Sequence, residues 1–407
     1  MRLIVIDPRF KARHGHHYSV NAALVREWRR RGGEVEIHGR ADADQDVVEA
    51  LGVRPTFRNG AYARFGRDDS EYRIFRAADV SESVAKDLAR HVRAAGGDVL
   101  LVHTIHAYDL TGLYSWFAAL SAPRPRMVVM FRFPPSFGLR PEETHMARGI
   151  YAYVLGLFKN HADGDAAFGA DSAVLARHIQ RLAPMPISVM PMPIVPDDLP
   201  GRPTGADDRF HLTYLGDARP EKGFLLLVPA LRQVFSDAGV DLRVTIQGLT
   251  AGSDTWDRFA AEFAAISPQI RLTGATLDVG AYHRLLASSD AVLVAYDPVL
   301  YYHRTSHVFV EALAHGKPLV VAARSWMDIE AANLEAAAGG ELAVRMARFD
   351  ARSLAAAILD LVANRQRLTE VAERIAPAWR SRHTAAAYVD RMLAMLGPDA
   401  SPPRGPS

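Results

Sequence analysis

A chain of 407 residues with 49% apolar composition is long enough for two domains with sizeable cores. Its formal net charge of +2 is too balanced for a dedicated nucleic-acid binder, and the absence of cysteine excludes disulfides, thiolate catalysis and Cys-ligated metals. No apolar run approaches the roughly 20 residues that a membrane-spanning helix needs, so a soluble cytoplasmic protein is expected.

The opening MRLIVIDP has four consecutive apolar residues before Asp7 and reads as a first strand over 2–7, not as a signal peptide. A helix follows over 18–31, with Val20, Leu24 and Trp28 on one face, then a strand over 34–39. Further strands are expected over 98–104, 126–133 and 164–170, with helices near 110–120 and 142–160 between them. Such alternation predicts a parallel sheet with helices on both faces. Residues 184–209 hold seven prolines and read as a linker with a short strand at 187–190.

After the linker the pattern restarts. Strands are expected over 210–216, 241–248, 270–274, 291–296 and 318–323, with a helix from about Gly223 and a long terminal helix over 376–396. No tandem repeat of 20 to 50 residues is present. Two α/β halves joined by a Pro-rich linker set a cleft between them, because open α/β sheets bind ligands beyond the carboxyl ends of their strands.

Two stretches carry chemistry. In YLGDARPEKG (214–223) a strand ends at Gly216, and Arg219 and Lys222 lie before a helix. Two cations beside a helix N-terminus can neutralise a diphosphate, although an exposed polar loop has the same composition. In YYHRTSHVFVEALAHGKPLVVAA (301–323) a loop with His303, Arg304, Thr305 and Ser306 leads into a helix carrying Glu311. The free N–H groups at that helix start suit an anion, and Ser306 or Thr305 can equally serve as its N-cap.

These stretches resemble retaining family-four glycosyltransferases of the GT-B fold. GDARPEKG is similar to the family's G-R-x-x-x-E-K-G loop, and VFVEALAHGKPLVV to its E-A-x-A-x-G-x-P-V-V segment. Residues 273–298 fit the run between them. The N-terminal half, in MRLIVIDPRFKARHGHHYSVNAALVREWRRRGGEVEIHG, AAFGADSAVLARHI and PISVMPMPI, matches more loosely. The resemblance implies two Rossmann-like domains with parallel sheets facing a cleft. An acceptor-side domain would span 1–195, a linker 196–209 and a nucleotide-sugar domain 210–375. A C-terminal helix over 376–398 would pack back on the N-terminal domain, before a disordered tail over 399–407.

The resemblance also assigns roles. Gly216, Arg219, Lys222, Arg304, Thr305, Ser306 and Glu311 fall at donor-binding positions, with Lys222 on the donor phosphate and Glu311 on the ribose hydroxyls. Arg219 stands two positions from the family's arginine. The first glutamate of the family's E-x7-E motif is replaced by His303, which then faces the donor sugar; Arg219, Lys222 and His303 are the expected catalytic groups. Arg132 stands near the place of the family's catalytic histidine. With Gly15, His16, His17 and His106 it is assigned to the cleft or the acceptor, His103 and His106 lying at one strand end.

No metal and no cofactor is expected. HGHHYSV (14–20) offers three histidines, but no Asp, Glu or His follows at matching helical spacing. DGD (163–165) precedes a strand in the wrong half. DADQD (42–46) has Val47 and Val53 where a calcium loop requires Gly and Glu. No G-x-G-x-x-G follows the first strand, against a dinucleotide oxidoreductase. REWRRR (26–31) allows peripheral contact with anionic lipid at the inner face of a membrane, although cations closing a helix are the commoner case. The expected activity is metal-independent transfer of a hexose or related sugar from a nucleoside diphosphate sugar to a glycan, lipid-linked or small-molecule acceptor, with retention. The alternatives are a nucleotide-sugar epimerase of the same fold and a non-catalytic nucleotide-sugar-binding protein.

Overall fold

The structure, a computed structural model, describes residues 1–13, 15–58, 75–162, 164–203, 209–236, 240–248, 254–274 and 277–397, without the side chains of His16, Phe75 and Arg76. The readings that involve His14, the His16 side chain, Asp163 and the 399–407 tail fall outside these residues.

The chain divides into two compact units, one of Met1–Ile194 with the segment from Thr384 onward, the other of Val195–His383. In the first unit the order is β1 (Arg2–Ile6), α1 (Gly15–Arg30), β2 (Glu34–Arg40), α2 (Gln45–Leu51), β3 (Val53–Phe57), α3 (Phe75–His91), β4 (Val99–Val102), α4 (Ala107–Ala118), β5 (Arg126–Phe131), α5 (Thr144–His161), β6 (Ala166–Ala170), α6 (Ala173–Gln180) and β7 (Ile187–Val189). These strands form a seven-stranded sheet in the order β3-β2-β1-β4-β5-β6-β7. Every pairing in it is parallel. The central strands are apolar because helices cover both faces: all four residues of β4 are buried, and Ile4, Leu100 and Val129 are fully so.

The second unit runs β8 (Phe210–Tyr214), α7 (Phe224–Ser236), β9 (Leu242–Gln247), α8 (Asp254–Ala264), β10 (Ile270–Thr273), α9 (Val279–Ser288), β11 (Ala291–Val294), α10 (His307–Ala314), β12 (Leu319–Ala322), α11 (Trp326–Ala338), β13 (Ala343–Met346), α12 (Ala351–Ala363) and α13 (Arg365–Arg382). Its six strands are also parallel, in the order β10-β9-β8-β11-β12-β13. Side-chain caps set several helix starts: Asp278, Ser306, Ser325 and Asp350 each accept from a backbone N–H three residues on. Among the described residues no helix is long and apolar enough to cross a membrane.

The end of the chain differs from the single helix expected over 376–396. α13 stops at Arg382, and Thr384 accepts from Ala387 N–H to start α14 (Ala385–Met395). α14 returns to the first unit and packs on α1, with Tyr388 fully buried. Arg31 reaches Asp390 at 2.5 Å and donates to the Ala386 carbonyl at 3.2 Å. Arg126 donates to the Leu396 carbonyl at 2.8 Å.

Candidate functional site

In the C-terminal sheet the winding direction reverses between β8 and β11, since β9 and β10 lie to one side of β8 and β12 and β13 lie beyond β11. Loops leaving the carboxyl ends of two such strands diverge and leave a crevice. The loop after β8 turns at Gly216, whose φ of +100° favours glycine. The Lys222 Nζ lies 3.0 Å from where a Cβ on that glycine would sit, so the bare backbone is what admits the ammonium. A 3-10 turn over Pro220–Lys222 then ends at Gly223, where a Cβ would lie 2.3 Å from the Ala295 carbonyl oxygen. Glycine therefore lets α7 start against the end of β11.

Arg219 is 44% exposed and pairs with Asp217 at 3.1 Å and Glu221 at 3.3 Å. Lys222 is only 12% exposed and lies 3.9 Å from Asp217 and 5.7 Å from the centre of the Tyr296 ring. Burial pushes the lysine down to about 8; Asp217 opposes this, and the Arg219 and Arg304 charges reinforce it. Three cations that repel one another beside a helix start are an arrangement that an anion relieves.

The second wall is the segment before α10. The Arg304 guanidinium stacks 4.2 Å over Tyr301 and donates to its hydroxyl at 3.3 Å, which fixes the arginine's direction. Ser306 is the N-cap and accepts from Phe309 N–H at 3.2 Å, so its side chain serves the helix. Thr305 is half-buried beside it. Val308, in the first turn, would lie 3.8 Å from a Cβ on Gly216, which brings this helix start against the β8 loop. His303 is half-buried with its ring edge-to-face on Tyr302 at 4.8 Å.

One turn into α10, Glu311 accepts a 2.7 Å hydrogen bond from the Tyr282 hydroxyl of α9. Burial raises the carboxyl to about 8, and the tyrosine bond only partly offsets this. Sequence reasoning missed Tyr282 because spacing assigns it to a helix but not to the Glu311 side of that helix. It also missed Asp217, the carboxylate facing both cations.

Residues 209–364 match the family model described as glycosyl transferases group 1. The match covers the part of the chain that holds both stretches, and it shows a similarity of that part to the family. No curated protein matches the chain in sequence. Among solved structures, sucrose-phosphate synthase from Thermosynechococcus elongatus is similar over 97% of this chain and 99% of that one, at 14% identity and a TM-score of 0.66. Anabaena Alr3699/HepE in complex with UDP-glucose covers 97% and 99%, at 15% identity and 0.64. The UDP-forming alpha,alpha-trehalose-phosphate synthase from Burkholderia xenovorans, in complex with glucose-6-phosphate, covers 97% and 100%, at 13% and 0.64. At these identities the likeness shows the fold, which is GT-B.

Outside residues 209–364, the residues assigned to the cleft or acceptor side have distinct fates. Gly15, with a φ of +73°, opens α1, and His17 is in its first turn. The His17 Nδ1 is 2.9 Å from a buried Asp7 carboxylate oxygen. His106 is buried, with its ring stacked 5.2 Å from Phe133, and burial holds it well below its ordinary range. Arg132 is buried. It is 3% exposed and its Nη1 donates to both Asp171 oxygens at 2.9 and 3.0 Å, while its Nε donates to the His103 carbonyl at 2.9 Å. The guanidinium is thus committed to a buried ion pair, and Asp171 is the residue the sequence did not point to. Asp171→Asn should lower stability by about 3–5 kcal/mol, because it leaves a buried cation without its counter-charge. A chemical-denaturation midpoint close to wild type would argue against that commitment.

A cavity of about 420 Å³ lies at the amino ends of β8 and β11, lined by residues including Arg202, Phe210 and Asp290. Arg202 and Asp290 close on each other there at 2.5 Å, and none of the motif residues borders it.

Proposed function

We propose that the protein transfers a sugar from a nucleoside diphosphate sugar to a glycan, lipid-linked or small-molecule acceptor, with retention at the anomeric carbon and without a metal on the donor phosphates. The carrying observation is the convergence of Gly216, Lys222, Arg219, Arg304 and the start of α10 at the switch point of the C-terminal sheet. The diphosphate would lie on the bare backbone at Gly216, between Lys222 and the N–H groups of His307 and Val308. As the glycosidic bond breaks, negative charge gathers on the leaving phosphate oxygen. Fixed cations and an oriented helix start stabilise that charge more in the transition state than in the ground state. Glu311 accepts hydrogen bonds from the ribose diol. His303, just before the capping loop, faces the donor sugar, where an imidazole donates one hydrogen bond as well as accepting one. The complexes of similar proteins with UDP-glucose and with glucose-6-phosphate are in keeping with a donor of this class and a phosphorylated or hydroxylated acceptor.

The test is a thermal-shift and calorimetric screen of nucleoside diphosphates and their sugars, with and without EDTA. A ligand at 100 times its dissociation constant adds about 2.7 kcal/mol, a readable shift. Affinity should survive chelation, and nucleoside diphosphate should be released only when an acceptor is added. Release without an acceptor, or binding lost with EDTA, would overturn the reading. His303→Ala should reduce turnover far more than affinity for the free nucleoside diphosphate. If the variant matches wild type in turnover and in donor-sugar preference, His303 has no part in the reaction.

A further inference from the structure

The N-terminal sheet has a switch point of its own, between β1 and β4. Ile6 pairs with Val102 across these strands, so the next residues, Asp7 and His103, leave adjacent strands at the same level. The His103 N–H donates to the Ile6 carbonyl at 3.0 Å and holds them there. The first turn of α1 brings His17 over the same strand ends. One Asp7 oxygen, Oδ2, is 2.9 Å from His17 Nδ1 and 3.6 Å from His103 Nδ1. One ligand atom from each of the three residues lies within 4.8 Å of the others, and the two imidazole centres are 5.1 Å apart. Asp7 and His103 are fully buried, while the His17 side chain is 15% exposed.

A carboxylate and two imidazoles are the donor set of many divalent sites. Donors bound to one tetrahedral ion at about 2.0–2.1 Å lie about 3.3 Å apart, between the two separations found here. The carboxylate is also held from behind. Asn21, one helical turn after His17, donates to Oδ2 at 2.9 Å, and the Arg9 backbone N–H donates to Oδ1 at 3.3 Å. Outer hydrogen bonds of this kind orient ligands in metal sites. The Asp7 carboxylate is fully buried and faces both imidazoles.

The geometry points to a divalent-metal site formed by Asp7, His17 and His103, of the zinc class, with His17 on its more exposed side. Mixed nitrogen and oxygen donors without a thiolate suit Zn²⁺, Co²⁺ or Ni²⁺ over Mg²⁺ or Ca²⁺. The spacing of HGHHYSV could not show this, because Asp7 and His103 lie outside that stretch and His103 comes from another strand end. The site uses no residue of the donor crevice and stands whether or not the donor reading holds.

The probe is the metal itself, titrated into the full chain after EDTA treatment and desalting. Calorimetry should find one tight Zn²⁺ equivalent, and Co²⁺ should give the visible absorption of a four-coordinate ion. His17→Gln and His103→Gln should each weaken the binding by more than the ten- to hundredfold that loss of an outer hydrogen-bonding partner costs. Asp7→Asn should do the same, but the fully buried substitution can harm folding, so the less buried His17 carries the comparison. Absence of a stoichiometric site would overturn the proposal. So would tight binding that persists in His103→Gln, which would place the ion on other residues.

Discussion

Lys222→Ala is expected to lower turnover by about 10²–10³, the usual effect of removing one fixed group that meets charge developing in a transition state. Nucleoside diphosphate affinity should fall as well, by roughly ten- to a hundredfold, because a charge-assisted bond is worth about 1.5–3 kcal/mol. The pH profile separates this from general damage. Burial brings the lysine down to about 8, so the ammonium that meets the phosphate is lost as pH rises through that value. Bound diphosphate favours the charged form, so binding above pH 8 should take up a proton. In wild type, affinity should therefore decline above about pH 8, and this limb should vanish in Lys222→Ala. A limb that survives in the variant would assign the titration to another group.

Glu311→Ala should weaken nucleoside diphosphate binding by about ten- to a hundredfold, the cost of one charged hydrogen-bonding partner. Its pH signature has the opposite sign. The carboxyl is raised to about 8, so it is largely protonated in the free protein at neutral pH. A ribose diol donating to both oxygens favours the carboxylate, and affinity in wild type should rise as pH approaches 8. With the lysine limb this gives a maximum near that pH. The same shift acts on stability. A folded-state value above the ordinary 4.5 means that stability is full below pH 4.5 and declines as pH rises through about 8. Glu311→Gln, which cannot ionise, should remove that decline in the unliganded protein. Equal nucleotide affinity in Glu311→Ala and wild type would return this residue to a structural role beside Tyr282.

The parallel architecture was legible because its strands are covered on both faces. Apolar runs such as VLLV in β4 and LVVA in β12 announce themselves without alternation. The two strands that escaped, β3 and β13, are both sheet edges. β3 contains Pro55, which argues against a strand except at an edge, and β13 is four residues long with Arg345 inside it. The residues of the candidate crevice were legible as a group because a motif packs them into two short stretches. What stayed hidden were pairings made by register and packing. Asp171 meets Arg132 across 39 residues, Tyr282 meets Glu311 across 29, and Asp7 joins His103 only because β1 and β4 are neighbours. No local spacing encodes such contacts, since each depends on the winding order of a sheet.

The return of α14 to the first unit has a consequence for synthesis. A ribosome releases residues 1–194 long before Thr384, yet the cover over α1, one partner of Arg31 and one partner of Arg126 come from α14 and the residue after it. The unit from Val195 to His383 is contiguous and has all its parts earlier. Domains usually complete in the order in which they emerge, and here that order is inverted. The part of the chain that is translated first is finished last, and until then its nascent surface beneath α14 is open to chaperones and to other chains.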